Sequence, residues 1–102
     1  MDDWLAAICA QGTFNNGRNA FRNASGGGFC GAKDHSGPIL IGEWNDNFLM
    51  RNDISIFRNG YYASCIKGKT ITDFVATEAG GAAALEPLSQ FGFSIQPVAA
   101  AR

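Results

Sequence analysis

The predicted fold is decided by residues 54–66, whose sequence is ISIFRNGYYASCI. An Asn-Gly pair between β-branched and aromatic residues supplies the positive φ angles that a two-residue type I′ turn requires. We therefore predict a β-hairpin that runs from Ile54 to Ile66 and turns at Asn59-Gly60.

The register of this hairpin places alternate side chains on opposite faces. A two-residue turn pairs Phe57 with Tyr62, and these two rings form an aromatic pair on one face. The other face is apolar and is predicted to be the core side; it carries Ile54, Ile56, Ala63 and Cys65.

Further strands are predicted on both sides of the hairpin. Residues 28–33 and 38–44 form two strands joined by the turn residues 34–37, with Lys33 opposite Pro38. Residues 70–77 follow the turn 67–69 and are expected to pair antiparallel with the preceding strand. A short terminal strand is predicted around Phe93.

Short helices are predicted at the two ends of the chain. Asp2 or Asp3 can cap a helix whose apolar face carries Trp4 and Ile8. Residues 79–90 form a second short helix, interrupted by Pro87, which lacks an amide hydrogen. The tail 98–102 is expected to fray.

Strands in the middle and helices at the ends predict an α+β fold. We expect an antiparallel sheet of about four to five strands built from hairpins, with a short N-terminal helix and a short C-terminal helix. A chain of 102 residues suits one domain. Its predicted segments are an N-terminal helix at 1–12, an Asn/Gly-rich loop at 13–28, the hairpin sheet at 29–77, a short helix at 78–90, and a terminal strand and tail at 91–102.

Composition narrows the classes of partner. The net charge is −1 and the pI is near 5.6, so no strong field attracts nucleic acid or an anionic bilayer. The longest apolar runs fall far short of the roughly 20 residues that span a membrane. The N-terminal residues lack the pattern of a signal peptide, so a soluble, cytoplasmic protein is expected.

Three cysteines make an odd count without a metal-binding spacing, and buried free thiols are expected rather than a disulfide. The single histidine, His35, lies in a predicted turn. A small enzyme with a thiol or acid–base site would have to draw on Cys30 and His35, with Asp34 and Glu43 nearby. No cofactor and no metal are predicted.

The aromatic side of the hairpin is the best candidate binding surface, because aromatic and arginine side chains dominate binding hot spots. The predicted binding residues are Phe57, Arg58, Tyr61 and Tyr62, with Arg18 and Arg22 from the Asn/Gly-rich loop. The sequence therefore favours a non-enzymatic binding module or small inhibitor that acts on another protein. A small enzyme near Cys30 and His35, and a subunit of a homo-oligomer, are the alternatives.

Overall fold

The computed structural model describes residues 1–17, 20–78 and 80–102. Its centre is a five-stranded antiparallel sheet with the spatial order β1-β2-β4-β3-β5. The α+β class and the antiparallel sheet are thus confirmed. The strands are β1 Gly26–Gly31, β2 Pro38–Trp44, β3 Tyr61–Lys67, β4 Thr70–Ala76 and β5 Ser94–Pro97.

Helical segments precede, interrupt and follow the sheet. They are α1 Asp2–Ile8, α2 Asn47–Ile54, α3 Gly81–Leu85 and two 3-10 helices, Glu86–Phe91 and Val98–Ala101. The short N-terminal and C-terminal helices are confirmed, and the second changes to 3-10 geometry where Pro87 removes an amide. None of the helices in the described residues is long and apolar enough to cross a bilayer.

The predicted hairpin at Asn59-Gly60 is wrong. Ile54 is the last residue of α2, which begins where the Asp46 side chain accepts a 2.9 Å hydrogen bond from the Leu49 amide. Met50, Asp53 and Ile54 are buried at the i, i+3, i+4 spacing of a helix, which overrides the strand propensity of the isoleucines.

Gly60 does adopt a positive φ of 111°, as its position in the sequence suggests. Gly60 leads the chain into β3, and a Cβ atom added at Gly60 would collide with the Ala76 carbonyl oxygen. The tight hairpin of this region instead joins β3 to β4 through Gly68-Lys69, with Lys67 opposite Thr70. The predicted antiparallel pairing of these two strands is confirmed.

The first hairpin, β1–β2, is present with a register two residues away from the predicted one. Pro38 lies opposite Gly31 rather than Lys33. Because side chains alternate with a period of two, this shift leaves Cys30 and Ile39 on the same face as predicted.

The sheet has a core on each face. We call the side covered by α1, α3 and the first 3-10 helix the α1 face; its largest buried side chains include Trp4, Ile8, Ile39, Ile41, Phe74, Leu85, Leu88 and Phe93. We call the side covered by α2 and the last 3-10 helix the α2 face; its buried side chains are Phe21, Trp44, Met50, Ile54, Tyr62, Ile71, Val75, Val98 and Ala101. The burial of Val98 and Ala101 corrects the expectation of a frayed tail.

A disulfide joins Cys9 to Cys30, with the two Cα atoms 5.7 Å apart. The chain after α1 runs beside β1, where the Ala10 amide donates a 2.8 Å hydrogen bond to the Gly31 carbonyl oxygen. This contact brings the two sulfur atoms together, and it corrects the expectation of three free thiols. Cys65 remains a free thiol.

The Asn/Gly-rich segment is partly ordered against the sheet. Asn15 and Phe29 exchange two backbone hydrogen bonds of 2.8 and 2.9 Å at the outer edge of β1. β1 itself begins at Gly26, inside the segment that was predicted to be a loop. The edge of the sheet is therefore covered near Phe29 by a residue of the same chain.

Candidate functional site

Two of the predicted binding residues lie inside the α2 face. Tyr62 is only 7% exposed. Phe57 is half-buried, with its ring centroid 6.1 Å from that of Phe21. The two rings therefore pack in a core under α2, and they do not form the exposed aromatic surface that the predicted hairpin implied.

The other predicted binding residues are distributed over the molecule. Arg58 is exposed, whereas Tyr61 is half-buried and packs against the core of the α1 face, opposite Tyr62. Arg22 is exposed in the segment before β1. Arg18 lies outside the described residues. The structure therefore does not bring the described members of this set together on one surface.

An exposed apolar surface lies instead on α2 and the turn that follows it. Phe48 is 75% exposed and Ile56 is 71% exposed, and Leu49 is exposed beside Phe48. We call these three side chains the α2 patch. The sequence contains a signal for it, since Phe48 and Leu49 fall outside the inward-facing spacing of Met50, Asp53 and Ile54.

A cavity of about 270 Å³ adjoins the α2 patch between α2 and the last 3-10 helix. Its lining comprises Phe48, Arg51, Asn52, Ser55, Ala101 and Arg102. The Arg102 guanidinium donates a 2.7 Å hydrogen bond to the Phe57 carbonyl oxygen, close to the C-terminal end of α2. A cation is favourable there because helix C-termini carry partial negative charge. Two arginines thus line the same cavity as the exposed Phe48 side chain.

A second cleft, of about 350 Å³, lies at the opposite side of the sheet near the start of β1. Phe14, 42% exposed, forms part of its wall, and Glu43 is a carboxylate in its lining. Gly26 also lines this cleft, and an added Cβ there would lie 3.3 Å from a Glu43 carboxylate oxygen.

Asp73 is an unusual polar residue in the middle of the sheet. It lies on β4 between Gly42 of β2 and Ser64 of β3, and it is 0% exposed. Neither of its carboxylate oxygens has a hydrogen-bond partner in the described part of the chain. Burial raises the pKa of Asp73 to about 7, and the nearby Ser64 hydroxyl acts in the opposite direction.

Asp73 is not among the functional candidates predicted from the sequence. The signal was available, because this acidic residue shares one side of a predicted strand with Ile71 and Val75 and so occupies an inward-facing position. A charge at such a position requires either a partner or a neutral form.

The structure does not assemble the alternative thiol site. The Cys30 sulfur is bonded to Cys9, so it is not a nucleophile in this state. His35 is exposed in a turn before β2, whereas Glu43 lies near the far end of that strand. Hydrogen bonds from the Ser36 side chain and amide lower the pKa of Asp34, which is therefore held as an exposed carboxylate beside His35. No group of three or more candidate ligand side chains is positioned to hold a metal ion in residues 1–17, 20–78 and 80–102.

Comparison with protein-family models, with curated proteins and with solved structures gave no match for this chain.

Proposed function

We propose that this protein is a non-enzymatic binding module that acts on another protein through the α2 patch. The observation that carries the proposal is the exposure of Phe48 and Ile56, each more than two thirds exposed, on one helix and its C-terminal turn. Large apolar side chains clustered on a surface are typical of interaction sites, and an aromatic ring beside arginine is a common hot-spot combination.

The charges around the α2 patch indicate the chemistry of the partner. Arg51 and Arg102 line the cavity beside Phe48, and Arg58 is exposed two residues after Ile56. A partner with an apolar anchor that enters this cavity and acidic side chains around it would complement the surface. Of the binding residues predicted from the sequence, Arg58 is the one that we expect to contact the partner directly.

The disulfide also bears on where the protein would act. Disulfides persist in oxidising compartments and are rare in the reducing cytosol. The Cys9–Cys30 bond therefore supports action in an oxidising environment, whereas the cytoplasmic location expected from the sequence stays a prediction.

A quantitative capture experiment tests the proposal. Proteins recovered from the native host with the tagged wild-type chain are compared with those recovered with a Phe48→Ser, Ile56→Ser double variant. We expect one or more partners to be lost with the double variant while its thermal unfolding stays close to that of the wild type, because both side chains are exposed. Their direct binding to the purified chain is then measured by calorimetry.

Phe14→Ser is the matched control, since it removes an exposed phenylalanine from the opposite side of the sheet. The same partners should be retained with this variant. Equal recovery with the wild type and the double variant would contradict the proposal.

Self-association is the second candidate, because the same apolar patch on two copies could pair about a two-fold axis. Light scattering after size-exclusion chromatography separates the candidates. A mass of two chains that returns to one chain in the double variant would favour the homo-oligomer.

A further inference from the structure

Asp73 lies on the α2 face of the sheet, opposite Gly42 of β2 and Ser64 of β3. Ile71 and Val75 flank it on the same side of β4, and both pack in one core with Met50 and Ile54 of α2. The Asp73 carboxyl therefore occupies the layer between the sheet and the helix that carries the α2 patch. Its complete burial separates it from bulk water.

The neighbouring ionisable groups do not pair with Asp73. The Asp53 carboxylate accepts three hydrogen bonds, two from Asn23 and one from Trp44. Arg51 donates to the Arg102 carbonyl oxygen. Because side chains alternate along a strand, Glu43 and Lys67 lie on the α1 face, where the Lys67 ammonium lies over the Trp4 ring. Among the described residues, Asp46 caps α2, Arg102 donates to the Phe57 carbonyl oxygen, and Arg22 and Arg58 are exposed. Tyr62 packs in the core of the α2 face, and burial, followed by the charge of Asp73, raises the pKa of its phenol.

A buried carboxylate without a partner is costly, so a neutral acid is the favourable form in this layer. The raised pKa of Asp73 has the same cause, burial, as its largest contribution. Ionisation would place a negative charge under α2 and would favour states in which water reaches the carboxylate. The displacement of α2 from the sheet would give such a state, because Met50 and Ile54 of α2 pack in the same core as Ile71 and Val75, which flank Asp73.

We propose that Asp73 is a pH-sensitive element that controls how firmly α2 is held on the sheet, and through it the availability of the α2 patch. The second part of this statement rests on the proposed function, whereas the first does not. Protonated Asp73 keeps α2 docked, and ionised Asp73 loosens it.

The direction of the pH effect follows from linkage. The pKa of Asp73 is about 7 in the folded protein and near 3.8 in an unfolded chain, so the folded state holds one more proton between these values. The contribution of Asp73 to stability is therefore fully present in acid, and it is lost as the pH rises towards about 7. The unfolding equilibrium constant is expected to increase by up to about tenfold per pH unit within that window.

Chemical denaturation at pH values from 5 to 8 tests the first part. The wild type should show the increase in its unfolding constant, and Asp73→Asn, which is uncharged, should show a nearly flat profile. His35→Asn is the control, because it removes the single histidine of the chain and asparagine tolerates the φ of 63° at this position. His35→Asn should keep the wild-type slope. A flat wild-type profile, or a full slope in Asp73→Asn, would overturn the proposal.

A direct titration keeps the test valid if Asp73→Asn does not fold. Carbon-13 NMR of the wild-type aspartate carboxyl groups should show one that titrates near pH 7. If every aspartate carboxyl titrates near pH 4, the proposal is overturned.

Hydrogen exchange locates the response. After correction for intrinsic exchange rates, the protection of residues 47–54 should fall between pH 5.5 and 8 by several times more than that of β1 and β2. Equal changes in both regions would count against α2 as the responding element.

These readouts need no partner, so they separate the two proposals. If capture by the α2 patch fails while the slope and the α2 response remain, only the proposed function is lost. If capture succeeds with the same affinity at pH 5.5 and 8, the link between Asp73 and the α2 patch is lost.

Discussion

The indole nitrogen of Trp44 donates a 3.0 Å hydrogen bond to the Asp53 carboxylate, which joins the end of β2 to α2 inside the protein. Asn23 completes the arrangement, with its backbone and side-chain nitrogens each 2.8 Å from an Asp53 oxygen. One carboxylate thus satisfies three donors from two separate parts of the chain. Asp73 is also buried, but its carboxylate has no such set of donors among the described residues.

Replacement of Asp53 by alanine should destabilise the fold by about 3 kcal/mol, because it leaves the Trp44 and Asn23 donors without their acceptor. Urea denaturation followed by far-UV circular dichroism measures the loss. A double-mutant cycle with Asn23→Ala should give a coupling of about 1–2 kcal/mol. Additive effects of the two substitutions would show that the pair contributes nothing beyond its separate members.

Loss of the Cys9–Cys30 bond should cost about 3 kcal/mol, since the bond closes a loop between residues 21 positions apart and restricts the unfolded chain. The measurement is denaturation of the wild type and of a Cys9→Ala, Cys30→Ala variant, each with and without a reducing agent. Reduction should weaken the wild type and leave the variant unchanged. Cys65→Ser should keep the response of the wild type to reduction, because Cys65 is the free thiol.

Substitution of Gly42 by alanine should destabilise the protein by about 2 kcal/mol through overpacking. The added Cβ would overlap the rings of Trp44 and Phe21, which pack over this position of β2. Gly80→Ala is the control, since a Cβ there meets only Ser36 at an ordinary 3.4 Å. Thermal unfolding of both variants checks the difference, and equal melting temperatures would contradict it.

Much of the sheet could be predicted from local patterns. The β1–β2 and β3–β4 hairpins follow from alternating apolar residues beside turn residues, and both are present. The α2 helix was missed because Ile54, Ile56 and Asn59-Gly60 carry a strong hairpin signal. The competing helix signals were Asp46 as a cap and the spacing of Met50 and Ile54, which act through tertiary burial.

The candidate surface could be predicted less well than the sheet. Whether Phe57 and Tyr62 face solvent or a helix depends on what packs over them, and the predicted hairpin left no helix there. Once residues 47–54 fold as α2, these rings become core and Phe48 becomes surface. Local sequence patterns also could not predict the disulfide, because the pairing of Cys9 with Cys30 depends on how the end of α1 lies beside β1.

The covalent bond between Cys9 and Cys30 also makes residues 10–29 part of a closed ring. A protease that cuts once after the exposed Arg22 would leave both pieces joined as a single molecule, heavier by one water. The two fragments would separate only after reduction. Cleavage in the segment that borders β1 would therefore change the connectivity of the chain without releasing α1 from the sheet.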